Sequence, residues 1–215
     1  DILFRSSISF NMLFLEEIWS RNFTNLFIAP LKLKAIIIAL IFTALIRTLI
    51  GLIPAIILTA PLFGVSILKL GFPLLLLFLS LYIFGITLGL FVSAGLIRFG
   101  PSFENIAWSS LFLLAPLGCI YYPIEILPSF FQIIAKGLPL VYIFDETRNI
   151  LLNDFVNYEN IKQAYFLNLI YLIFGICLFY FSFLKARIKG TLINMGEEYG
   201  APARVEPEPP DPKSG

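Results

Sequence analysis

The chain has 215 residues, of which 59% are apolar and 13% charged, with a net charge of +1. A soluble domain carries roughly 25% charged residues, so there is too little charge here to cover a water-facing surface. The small net charge gives no field suited to nucleic acid. Histidine is absent, which removes the commonest general base and metal ligand. Neither phosphate-loop, metal-ligand nor nucleophile-elbow spacing is present, so the sequence reads as a non-enzyme. The two cysteines, Cys119 and Cys177, lie in apolar segments and read as small buried hydrophobes.

Residues 13–28 show a helical period. Glu16, Glu17, Ser20, Arg21 and Thr24 share one face, while Ile18, Trp19, Phe23 and Phe27 fill the other. Pro30 ends the pattern. The segment is too polar to span and predicts an amphipathic helix lying in the membrane interface.

Residues 35–60 form the first long apolar run. A bilayer-spanning helix needs about 20 residues. Arg47 sits near its centre, where a charge is costly unless it faces protein or water. It is therefore expected to face a bundle interior or cavity. Residues 72–97 form the second span, with Gly85, Gly89, Ser93 and Ala94 at spacings that permit close helix contact. A polar turn precedes a third, shorter span at 105–121.

Residues 122–153 are broken by Pro123, Pro128, Gly137 and Pro139. Two helical stretches, near 129–136 and 140–152, are each too short to cross and read as a re-entrant hairpin. After a polar stretch at 154–163, residues 164–184 form the last span. Lys185, Arg187 and Lys189 follow at once. The tail from about 191 to 215 is rich in Pro, Glu and Gly and reads as disordered, or as a non-native appendage.

The basic residues sort by side. Arg5, Arg21, Lys32, Lys34, Arg98, Lys185, Arg187 and Lys189 fall on one side; Lys69, Lys136, Arg148 and Lys162 fall on the other. The richer side is cytoplasmic by the positive-inside rule. Both ends and the amphipathic helix are then cytoplasmic, and the broken hairpin is extracellular. The fold class expected is an all-α membrane protein with four transmembrane helices, one cytoplasmic amphipathic helix and one re-entrant helical hairpin.

The stretches FLEEIWSRNFTNLFIAPL at 14–31 and APLGCIYYPIEILPSFFQIIAKGLPLVYIFDETRNIL at 115–151 resemble the ABC-2 type permeases, the membrane subunits of ABC exporters. The resemblance covers residues 1–190. It implies that the 13–28 segment is a coupling helix docking on an ATPase subunit, through Glu16, Glu17, Trp19, Arg21 and Phe23. The extracellular re-entrant motif would be carried by Tyr122, Pro123, Glu125, Leu127, Pro128, Leu138, Pro139 and Arg148. Against a six-span permease, the chain would lack the first span and most of the second. The partners implied are an ABC ATPase subunit that binds ATP, so that no cofactor is held here, a second permease copy or a paralogue, and membrane lipid. The implied cargo is a lipid-linked glycan, polysaccharide or drug-like amphiphile, moved outward through the plasma (inner) membrane, with Arg47 on a possible path. The rival readings are an ATP-independent channel or secondary carrier, and a membrane scaffold that transports nothing.

Overall fold

The structure, a computed structural model, describes residues 33–63, 71–100, 103–153 and 155–189. Among the described residues all regular structure is helical: α1 (Leu33–Phe63), α2 (Gly71–Phe99), α3 (Glu104–Leu117), one 3-10 turn (Ile124–Ile126), α4 (Ser129–Lys136), α5 (Pro139–Asn153) and α6 (Tyr158–Lys189). Three of these carry stretches long and apolar enough to cross a membrane: Ile37–Pro54, Gly71–Phe99 and Tyr158–Ala186. The expected third span is shorter than its sequence suggested. α3 has 14 residues, about 21 Å at 1.5 Å per residue, against a hydrocarbon core of about 30 Å. Pro116 lies in its last turn, and the Gly118–Cys119 turn ends it.

α2 is the central helix. It is buried almost all round from Ser80 to Ile97, and Gly85, Gly89, Ser93 and Ala94 are all within that buried stretch. α1 and α6 each turn an apolar face outward instead. Ile38, Phe42, Ile46, Leu49 and Ile53 line α1; Phe166, Leu169, Ile170, Ile173 and Phe174 line α6. Steps of three and four residues keep each set on one side of its helix. Water would penalise such stripes, whereas lipid tails are as apolar as the side chains themselves. Cys177, read from sequence as buried, belongs to the exposed side of α6, while Cys119 is buried.

The helix contacts use small and polar groups. The Tyr82 hydroxyl donates to the Ile41 carbonyl at 2.6 Å, joining α2 to α1. Between α2 and α6, Asn168 Nδ2 donates to the Ser80 carbonyl at 2.9 Å and to Ser80 Oγ at 2.8 Å. The Tyr165 hydroxyl donates to the Leu76 carbonyl at 2.8 Å. The Phe84 and Tyr171 rings meet edge to face, and Gly175 lies against Thr87 and Leu90. In these pairs residue numbers rise together on both helices, so α2 and α6 run parallel. Their shared C-terminal end carries Arg98 on α2 and Lys185 on α6. Arg98 lies over the Phe99 ring, 5.5 Å from its centre, where an interfacial cation–π contact is favourable.

α5 packs at the opposite, N-terminal end of that pair. Leu140, Ile143 and Ile150 join Leu77, Leu81 and Phe84 of α2 and Ile161 and Ala164 of α6 in one apolar cluster. Helix α4, the 3-10 turn and the end of α3 lie beside α5, with Cys119, Ala135 and Val141 in a smaller cluster under Tyr122, Ile124 and Leu127.

Candidate functional site

The prolines of the predicted re-entrant motif each open an element. Pro123 precedes the 3-10 turn and Pro128 precedes α4, both with extended ψ. Pro139 is the first residue of α5, where its missing N–H is no loss and its fixed φ suits a helix. The motif therefore segments the chain: an extended strap, a short helix of eight residues, a tight turn, then α5. The short helix leaves Phe130, Phe131, Ile133 and Ile134 exposed and buries Ala135.

Helix ends leave carbonyls without intrahelical partners. Here tyrosines supply the donors. Tyr142 Oη donates to the Lys136 carbonyl and Tyr171 Oη to the Gly137 carbonyl, both at 3.1 Å. The α4–α5 turn is thus gripped by α5 itself and by α6. At the end of α3, the Tyr122 hydroxyl donates to the Pro116 carbonyl at 2.8 Å. Gln132 Nε2 bonds the Leu127 carbonyl at 2.7 Å and ties the strap to α4.

The charged groups of α5 face two ways. Arg148 Nη1 donates to the Cys119 carbonyl at 2.8 Å, twenty-nine residues away. Its Nη2 lies 3.6 Å from Asp145 Oδ1, an ion pair one helical turn back. Cys119 has φ +52°, the left-handed region that L side chains rarely adopt. Glu146 faces α6 and is fully buried. Its Oε1 accepts the Asn157 N–H at 2.7 Å and its Oε2 the Asn160 amide at 3.2 Å; the same amide is 3.3 Å from Asp145 Oδ2.

This last group is an N-terminal cap assembled from two helices. Asn157 Oδ1 accepts the Glu159 N–H at 3.1 Å, the ordinary role of a capping residue. In a capping box the third helical residue would then reach back to the cap's own N–H. That residue is Asn160, shorter than the Glu or Gln of a capping box and turned to α5 through its Nδ2. Glu146 accepts the N–H in its place and so fastens α5 to the start of α6.

Of the residues singled out by sequence, the structure brings Tyr122, Pro123, Pro128, Pro139 and Arg148 into this one region. Glu125 is exposed on the 3-10 turn. Arg47 lies well along α1, exposed on the single chain. Glu16, Glu17, Trp19, Arg21 and Phe23 lie outside the described residues. From sequence Glu146 reads as a polar edge of the hairpin, and the structure buries it instead; Asn157 and Asn160 have no role in the sequence reading. The signal available was Asn157 standing just before an acidic first turn and a long apolar run, a helix-start pattern.

A family model described as ABC-2 type transporter matches residues 2–152, from the N-terminal region to the last turn of α5. Among curated proteins and among solved structures, nothing matches.

Proposed function

The chain belongs to the ABC-2 type transporter family, and on that premise we propose that it is the membrane-spanning permease subunit of an ATP-driven exporter. ATP is bound and hydrolysed on a separate ATPase chain. Glu16, Glu17 and Arg21 of the 13–28 coupling helix meet that chain, while Trp19 and Phe23 hold the helix against the membrane bundle. The cargo is an amphiphile, polysaccharide or lipid-linked glycan, passed outward across the plasma membrane between two permease copies.

The parallel run of α2 and α6 is the observation that carries this topology. A chain that leaves α2 at one end and begins α6 beside the start of α2 has to return between them. Residues 100–157 supply that return, which supports a fourth crossing despite the short α3. The basic ends of α2 and α6 then share the cytoplasmic side with the 13–28 segment, and the α4–α5 pair lies at the outer side. Its eight-residue and 15-residue helices are about 12 and 22 Å long, short of a full crossing, as a re-entrant element requires. On this reading the Arg47 face of α1 turns toward the partner copy or the aqueous route, because a lipid-facing arginine there would cost several kcal/mol.

The test is charge reversal at Glu16 and Glu17 in the assembled transporter. ATP hydrolysis is expected to continue while export stops. Undiminished export by the doubly reversed variant would sink the coupling role.

A further inference from the structure

The bonds that hold the α4–α5 pair are unevenly shared between its neighbours. Toward α6 and α2 they are several: the Glu146 bonds to Asn157 and Asn160, the Tyr171 bond to the Gly137 carbonyl, and the apolar cluster of Leu140 and Ile143 with residues of both helices. The turn between α4 and α5 is closed again by Tyr142. Toward α3 the polar grip is the Arg148 bond to the Cys119 carbonyl. That guanidinium is under-used, since its Nη2 is buried with no hydrogen-bond partner and meets Asp145 only at ion-pair distance. The residue it holds is itself in an unfavourable backbone state. A left-handed non-glycine residue is disfavoured and persists where its surroundings impose it. What imposes it here is first the closure of α3 itself, in which the Cys119 N–H bonds the Pro116 carbonyl at 3.1 Å and the Ile120 N–H the Ala115 carbonyl at 3.4 Å around a left-handed residue. The Arg148 bond on the Cys119 carbonyl and the enclosure of the thiol with Ala135 and Val141 then fasten that turn to α5 and α4.

We propose that residues 118–123 are a hinge and that Arg148 is its pin. Helices α4 and α5 stay with α6 and α2 as one body, and α3 moves against it. Release of the Cys119 carbonyl by Arg148 detaches the turn from α5, and the movement uncovers the thiol beneath the strap. Arg148 is a positioning residue in this scheme. Its use in opening the outer end rests on the transporter reading above; the hinge itself does not.

The chain has two cysteines, so a Cys177→Ala background leaves Cys119 as its one thiol. The probe is N-ethylmaleimide, applied to the full chain with its ATPase in lipid nanodiscs and read by intact mass. Cys119 is expected to be protected without nucleotide and labelled at least tenfold faster with ATP and vanadate. Arg148→Ala should label fast in both states, and Arg148→Lys, which keeps a donor, should restore protection and nucleotide dependence in part. A role for Arg148 in stability alone would expose Cys119 in Arg148→Ala but leave the parent chain protected in every nucleotide state. Protection of the parent Cys119 in a complex that is hydrolysing ATP overturns the proposal, as does unchanged labelling of Arg148→Ala. Lack of any ATP-hydrolysing complex would instead count against the transporter reading. Labelling of the permease alone, Arg148→Ala against parent, then decides the hinge beside its thermal unfolding: faster labelling at an unchanged melting temperature supports it, and unchanged labelling, or faster labelling that only follows a lowered melting temperature, overturns it. If Arg148→Ala fails to accumulate in membranes, the parent and Arg148→Lys decide it together.

Discussion

Glu146→Ala is the substitution with the largest expected local effect. The carboxylate is fully buried and accepts two hydrogen bonds, from the Asn157 N–H and the Asn160 amide. Hydrogen bonds to a charged group contribute about 1.5–3 kcal/mol each, and donors left unsatisfied in a buried site add to the loss. Both bonds end on the first turn of α6, so the penalty falls on opening that turn rather than on the whole bundle. A loss of about 3 kcal/mol corresponds to roughly a hundredfold in the opening equilibrium, at 1.4 kcal/mol per decade. Hydrogen exchange by mass spectrometry on peptides covering 155–163, in nanodiscs, reads that equilibrium. Glu146→Gln keeps one acceptor oxygen but sets an amide against the Asn160 amide, and should fall about midway. Exchange in Glu146→Ala within threefold of the parent would refute the reasoning that α5 caps α6.

Asn168→Ala removes two bonds to Ser80 and should lower thermal stability in detergent by the equivalent of about 0.6–1.7 kcal/mol, the range for interhelical bonds in membranes. Ser80→Ala, which keeps the backbone acceptor, should cost less on the same scale. Gly118→Ala and Gly175→Ala should separate cleanly in size-exclusion yield. A Cβ on Gly118 would lie 2.7 Å from Leu140 Cδ1 and 2.9 Å from the Leu114 carbonyl, so Gly118→Ala is expected to disrupt the α3–α5 contact. At Gly175 the nearest atom is Thr87 Cγ2 at 3.5 Å, an ordinary contact, so Gly175→Ala should behave as the parent. Tyr171→Phe strips the Gly137 carbonyl of its side-chain donor and should cost about 1 kcal/mol, seen as faster exchange over 137–140.

The parts of the fold written in proline and in length were legible. The two stretches expected near 129–136 and 140–152 are Ser129–Lys136 and Pro139–Asn153, because prolines fix where each helix can begin. The span expected at 72–97 is Gly71–Phe99. The last span begins six residues earlier than expected, at Tyr158. Its polar first turns look like loop in a hydropathy reading, yet they are stabilised by Asn157 and, across the chain, by Glu146. α1 also continues through Pro54 to Phe63, although proline removes one intrahelical bond. α3 was read as too long, since Pro116 and the left-handed Cys119 stop a helix whose residues remain apolar. The Arg148–Cys119 and Glu146–Asn157 bonds join residues 29 and 11 apart. No local pattern announces such pairings, and they became visible only with the helices in place.

The most direct test of the central claim is hydrolysis of ATP by the complex purified through this chain from its native membrane. The account predicts a stoichiometric ATPase subunit with vanadate-sensitive activity, and in the complex carrying Glu16→Lys with Glu17→Lys that hydrolysis continues while export stops. Purification of a chain that moves its cargo with no nucleotide-hydrolysing subunit present would contradict it.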